Sequence, residues 1–436
     1  MKFEQRMTRH GLALVGVLAL FTGCGDDGTT GSGTAVIPDT DTSTSPTGTT
    51  AEPTSGTTTD GTTDAPTTTS SDTTTTDTTT GGPIEPPAYD QWITVPLEGA
   101  VCGNGSQYKI FVNWHEGAKD LLVMLEPGGA CWDFDTCSGK ADLGAAHPDG
   151  VPDDLLYDPL TKNLSPLMRR DVEGLTKDWN LVFMPYCTGD VHTGNNVIVY
   201  QDPEGVEPDL EFHHNGHNNV IAATDWMATQ FPGTDRLFVT GCSAGGAGSL
   251  INYHFFRSRI DAQRGYLMDD SGPIFPSGGW SSKLHEKIRS SWNVDSVFSE
   301  LPPGYEIDDD FGVLNTHLAA LYPDDRLSTV FFQRDFNYSR YSYERFYPDM
   351  TKEKILEYWA EDTDLMTALY DPHPNMAYYL PYWRGLNDSH CVSIISYLDT
   401  EIEEQGVDLG DFIETLLDDD KPLVSYRESV QPDEDN

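Results

Sequence analysis

The chain has 436 residues, 37% of them hydrophobic, with 26 Lys and Arg against 70 Asp and Glu, a formal net charge of -44. That length holds one large catalytic domain or two compact ones, and the acidity repels polyanions at long range, which disfavours nucleic acid as a partner. An acidic polysaccharide is a poor partner for the same reason, unless a basic groove, salt or divalent cations offset the field.

At the start of the chain Lys2, Arg6 and Arg9 precede the apolar run Leu12 to Phe21. This is the layout of a secretory signal, and it is too short to span a bilayer as a mature helix. Phe21-Thr22-Gly23-Cys24 resembles the bacterial lipobox, with Phe21 where Leu is usual. The reading is a lipoprotein-type signal over 1–23, with lipidated Cys24 tying an exported protein to the cell surface or outer membrane. Ordinary cleavage that leaves Cys24 as a spare thiol, in a secreted protein, is the alternative. From 24 to 87 the chain is a Thr/Ser/Gly/Pro/Asp tract with almost no large apolar residues, so burial cannot offset ordering entropy and a disordered stalk is expected. Flexible-coil statistics give it a reach of roughly 40 to 45 Å. The folded domain is expected over 88–425, with an acidic tail over 426–436.

Within that domain, short β-rich apolar runs alternate with helical stretches. The strand candidates are Lys109 to Trp114, Asp120 to Leu125, Leu181 to Pro185, Arg236 to Thr240, Gly265 to Met268 and Leu327 to Phe332. The helical candidates are Asn219 to Phe231, Ala247 to Phe256, Lys352 to Tyr358 and Cys391 to Glu403. The alternation predicts an α/β fold with a mostly parallel sheet flanked by helices. The Pro- and Gly-rich segment Pro273 to Gly304 reads as an insertion or cap.

Gly241-Cys242-Ser243-Ala244-Gly245 fits the Gly-x-Ser-x-Gly elbow, in which glycines let a strand turn sharply into a helix and expose the serine hydroxyl. Its context is right, with the run Arg236 to Thr240 before it and small Gly246, Ala247 and Gly248 after it. This points to the α/β-hydrolase fold with Ser243 as nucleophile and the Ala244 amide as an oxyanion donor. Further donors are expected from Gly128 and Gly129, where the strand ending at Leu125 runs into Glu126-Pro127-Gly128-Gly129-Ala130.

A serine nucleophile needs a histidine base and an acid to orient it, in the chain order Ser, acid, His for this fold. His254 lies on the helix leaving the elbow, and His285 and His317 leave little strand-end sequence for an acid before them. His390 in Asn387-Asp388-Ser389-His390 has the late position required, and His373 is the runner-up. Asp335, just after a strand, is the favoured acid; Asp269 and Asp270, also after a strand, remain alternatives. His213-His214-Asn215-Gly216-His217 looks like a metal cluster, but Gly216 implies a turn and the spacing does not align three imidazoles on one helical face. No catalytic metal and no cofactor are expected.

Taken together the residues resemble the pectin acetylesterase and Notum family of carboxylesterases. Four blocks carry the likeness: Val101-Cys102-Gly103-Asn104-Gly105-Ser106, Leu125-Glu126-Pro127-Gly128-Gly129-Ala130-Cys131, Pro185-Tyr186-Cys187-Thr188-Gly189-Asp190-Val191-His192-Thr193-Gly194 and Gly241-Cys242-Ser243-Ala244-Gly245-Gly246. Asp270-Ser271-Gly272, Asp335 and His390 continue it. The resemblance implies hydrolysis of O-acyl esters through Ser243, His390 and Asp335. It also implies disulfides Cys102–Cys187 and Cys131–Cys137, which leaves Cys242 with Cys391, a pair flanking the nucleophile and the base. This chain departs from the family in having Ala130 where an aromatic residue is usual and Pro127 where a glycine is. The substrate class expected is an acetylated extracellular polysaccharide or another short-chain ester, acted on by a monomer, with Trp280, Trp292 and Phe298 closing the site or stacking on sugar. The rivals are a lipase or polyester depolymerase acting on longer chains, and a non-catalytic surface binding protein that keeps the fold.

Overall fold

The computed structural model describes residues 86, 88–141, 144–157, 165–171 and 174–430. The expected signal and lipidation site lie outside the described residues, as does all of the expected stalk except Pro86. Its strands are β1 (Ile93–Val101), β2 (Gln107–Asn113), β3 (Leu121–Leu125), β4 (Asn180–Met184), β5 (Asn196–Tyr200), β6 (Leu210–His214), β7 (Thr234–Cys242), β8 (Ala262–Asp270), β9 (Arg326–Val330), β10 (Met376–Leu380) and β11 (Tyr426–Arg427). Nine of them form one sheet in the order β1-β2-β4-β3-β7-β8-β9-β10-β11, and β5 and β6 form a separate antiparallel hairpin. Only the β1/β2 and β2/β4 pairings in the large sheet are antiparallel. From β4 to β11 it is parallel, as an α/β-hydrolase sheet requires.

Every residue of β3 and β4 is buried, which matches their unbroken apolar runs, since a parallel strand covered on both faces has no polar side. Helices Gly216–Gln230, Ala244–Arg259 and Lys352–Tyr370 confirm three of the four expected helical stretches, the last running well past Tyr358. The fourth, Cys391 to Glu403, is not a helix. Cys391, Ile395 and Asp399 all have φ near +60°, a conformation no right-handed helix accepts. The expected acidic tail at 426 also begins too early. Tyr426 and Arg427 pair with β10 as the last strand of the sheet, and the Glu428 amide donates to Leu380.

The fold's use lies at one edge. The carboxyl ends of β3, β7, β8, β9 and β10 lead directly into Glu126, Ser243, Ser271, the segment reaching Asp335, and the segment reaching His390. In a parallel sheet these ends open onto a common crevice.

Candidate active site

Ser243 sits between β7 and the helix Ala244–Arg259 with φ 56° and ψ -118°. A non-glycine residue at positive φ is strained, and such strain is held only where the surroundings over-determine it. Here they do. The Ser243 amide donates to the Asp270 carbonyl at 2.8 Å, and the glycines around it leave no room for a side chain. A Cβ on Gly245 would overlap the Leu125 carbonyl, and one on Gly246 would overlap the Asp270 carbonyl. The two motif glycines, Gly241 and Gly245, are thus both required by the approach of Leu125 on β3, and Gly246 by Asp270 on β8.

The backbone beside the serine carries free donors. Among the described residues no hydrogen bond takes the amides of Gly128, Gly129, Ala130 or Ala244. Gly129, with φ 80°, and Ala130 share a cavity wall with Ser243 and Ala244. Gly128 packs one step back, where a Cβ would meet Ala146 and Tyr186.

The expected acid and base meet. His390 Nδ1 lies 2.8 Å from Asp335 Oδ2, and both residues are buried. Asp335 is fixed from its other side, because it caps the helix Phe336–Tyr343 by accepting the Tyr338 amide on Oδ1 at 2.9 Å. Burial pulls the His390 pKa down, but the charge and hydrogen bond of Asp335, helped by Asp270 and Asp388, outweigh it and hold the pKa above the ordinary 6.5. The Cys242–Cys391 disulfide joins the residue before Ser243 to the residue after His390, with Cα atoms 5.5 Å apart. One ring nitrogen of His390 lies within 4.8 Å of the Cys242 and Cys391 sulfurs. Cys102–Cys187 and Cys131–Cys137 are the other two bridges, so all three expected pairings are present.

Asp270 makes different contacts from those of Asp335. Its Oδ1 accepts from the Val392 amide at 2.9 Å and the Ser271 hydroxyl at 2.9 Å. Its Oδ2 accepts from the Ser393 amide at 2.8 Å and the Ser393 hydroxyl at 2.6 Å. Burial raises its pKa against the pull of these donors. On the carbonyl side, buried Arg384 donates to the carbonyls of Cys391, Ser396 and Leu398. A carboxylate holding amides and a guanidinium holding carbonyls thus fix the chain after His390 where helix bonding is absent. Arg384 escaped the sequence reading, since nothing local marks an arginine whose acceptors are seven to fourteen residues away. Asp269 bonds to Gly272 and Thr329 instead. His373 stands in a turn after the helix Lys352–Tyr370, away from these partners.

The histidine cluster divides. His214 pairs with the Tyr200 hydroxyl and the Thr188 carbonyl, His217 with Asn252 and Glu300, and His213 with Glu211. Asp190, from the third block, accepts the amides of Gly194 in that block and of Gly216 beyond it, and a Cβ on either glycine would run into its carboxylate. Among the described residues two sites bring a histidine nitrogen near two sulfurs, Cys131/Cys137/His214 and Cys242/Cys391/His390. In both the sulfurs are disulfide-bonded and offer no thiolate.

Beside Ser243 lies a cavity of about 50 Å³ whose walls include Ile251, Ile274, Leu284, Ile288, Phe298 and Phe311. Much of this wall comes from the expected insertion, which forms the helices Ser282–Ser291 and Val294–Phe298. Trp292 and Phe298 line the cavity as expected. Trp280 does not; it stacks on Tyr358 at 3.8 Å and donates to Glu361.

A model of the Pectinacetylesterase family matches residues 92–293, the stretch that carries all four blocks and the elbow. Just under half of the chain is thus similar to the pectin acetylesterases. Pectin acetylesterase 4 of Arabidopsis thaliana is 27% identical over 175 residues, covering 37% of this chain and 38% of its own length. The palmitoleoyl-protein carboxylesterase notum2 of Xenopus laevis is 25% identical over 189 residues, covering 43% of this chain and 36% of its own. The aligned stretch therefore spans under two fifths of the length of these relatives. The solved structure of the Wnt deacylase Notum from Drosophila covers 75% of this chain and 92% of its own at a TM-score of 0.50 and 17% identity, a likeness of fold.

Proposed function

We propose that this protein is a serine carboxylesterase that cleaves short acyl groups from oxygen, and that Ser243, His390 and Asp335 carry the reaction. The observations that support it are a strained serine and unpaired backbone donors on one cavity wall, and a buried acid–imidazole pair 2.8 Å apart that the Cys242–Cys391 disulfide ties to the residue before that serine. Asp335 accepts the Nδ1 proton and leaves Nε2 free as the base. Ser243 Oγ then attacks the ester carbonyl carbon while its proton passes to Nε2, and the amides of Gly129 and Ala244, with Gly128 behind them, hold the oxyanion. Collapse breaks the bond to the alcohol oxygen, which takes the proton from His390. Water, activated by the same imidazole, releases the acid from the serine. A binding protein that only kept the fold would have no use for the strain at Ser243.

The acyl group is sized by the cavity. About 50 Å³ holds a few water-sized groups at about 10 to 15 Å³ each, which suits a chain of around four carbons better than acetyl and far better than palmitoyl. The likeness to pectin acetylesterases makes an acylated extracellular carbohydrate the leading natural class. Export is supported by the three disulfides, which persist in oxidising compartments, and by the N-terminal signal, with Cys24 as the membrane anchor. A series of ethyl esters tests the assignment. Each buried methylene contributes about 0.8 kcal/mol, so kcat/KM should rise roughly tenfold from acetate to butyrate and fall again for palmitate; a maximum at palmitate would turn the reading to a lipase.

A further inference from the structure

The acyl cavity is not wholly apolar. His285, on the helix Ser282–Ser291 between the apolar wall residues Leu284 and Ile288, lines it while only 8% exposed. Among the described residues neither of its ring nitrogens has a hydrogen-bond partner. The ring is held in place nonetheless, since it stacks on Phe311 with centroids 5.0 Å apart and planes 17° from parallel. Thr193, another polar wall residue, spends its hydroxyl on the Val191 carbonyl, and the Trp292 indole donates to Cys131. A buried polar group is normally satisfied, and one that faces a cavity without a protein partner is open to a ligand.

We propose that His285 is a specificity-determining residue of the acyl site and that the preferred substrates are hydroxyacyl esters, whose chain hydroxyl bonds to its imidazole. Burial pulls the His285 pKa down to about 4, so near neutral pH the ring offers one N–H and one bare nitrogen. A hydroxyl both donates and accepts and therefore matches either tautomer, whereas a plain aliphatic chain leaves the ring unpaired. Sites that bond a substrate hydroxyl discriminate against the analogue that lacks it far more than apolar sites discriminate by one methylene. The recognition leaves the acyl transfer at Ser243 unchanged, and the inference rests on that assignment.

The test compares ethyl 3-hydroxybutyrate with ethyl butyrate, which share a leaving group, by pH-stat on the purified full chain and on the variants His285→Phe, His285→Met and His285→Gln. The ratio of the two kcat/KM values within one preparation does not depend on how much of it is folded. The wild-type ratio should exceed one and should fall about tenfold in His285→Phe and His285→Met, with part of it kept by His285→Gln, which retains a donor and an acceptor. An unchanged ratio in the Phe and Met variants, with both esters hydrolysed, overturns the role of His285 alone. Failure of the wild type to hydrolyse any ester overturns the assignment of Ser243 and this inference with it.

Discussion

Ser243 and His390 are held by opposite means. Ser243 is placed by backbone geometry: a strand buried between two parallel neighbours, a sharp turn at φ 56°, and glycines whose missing side chains let Leu125 and Asp270 approach. His390 stands in an irregular segment with positive φ at Asn387, Asp388, Ser389 and Cys391. Its position depends on Asp335, Asp270, Arg384 and a disulfide, all reaching in from elsewhere in the chain. The serine is placed by small residues next to it in the chain, and the histidine largely by polar contacts from distant parts of the chain. The first should fail by unfolding when it is changed, and the second by losing rate.

The largest effect on stability is expected where the elbow is filled. Gly245→Ala puts a methyl group into the Leu125 carbonyl, which the neighbouring sheet strand cannot move aside, and should cost about 3 kcal/mol or more. Denaturant unfolding of that variant would show it, and near-wild-type stability would mean that the elbow is looser than described. On the loop side Asp335→Asn should keep the fold and lower kcat by about ten-thousandfold. It should also move the acid limb of the pH profile. Hydrolysis needs neutral His390, so the wild-type rate falls as pH drops through a pKa raised above 6.5. Without the Asp335 charge, burial dominates and the limb shifts to lower pH; a limb that stayed in place would remove Asp335 as the partner. The smallest of these effects is that of Asp270→Asn. An amide supplies one acceptor where the loop presents donors to both oxygens, so kcat should fall about ten- to hundredfold with KM little changed. The acid limb should also shift slightly downward, a movement that mere loosening of the sheet would not produce.

The same contrast explains what the sequence made legible. The elbow was readable because its requirements fall on neighbouring residues, and Asp335 because a strand end precedes it. Likeness to relatives supplied two disulfides outright, and the third followed as the remaining pair. The segment after His390 is not the expected helix although its apolar residues, Val392, Ile394 and Ile395, mimic helical spacing, because Asp270, which holds it, lies over a hundred residues away, and Arg384, though near, carries no local sign of its role. β10, Met376–Leu380, and the hairpin β5–β6 were not among the expected strands; the hairpin is partly exposed and lacks the buried apolar run that marked β3 and β4. β1, with Pro96 and Gly99 inside it, does not read as a strand in isolation. The cavity depends on side chains from well-separated parts of the chain and left no pattern in any of them.

The most direct test of the account is covalent labelling of Ser243. A fluorophosphonate probe should react with the native protein at one site, and peptide mapping should find it on Ser243, with labelling and ester hydrolysis both lost in a folded Ser243→Ala variant. Labelling at another residue, or hydrolysis by Ser243→Ala within about a hundredfold of the wild-type rate, would contradict it.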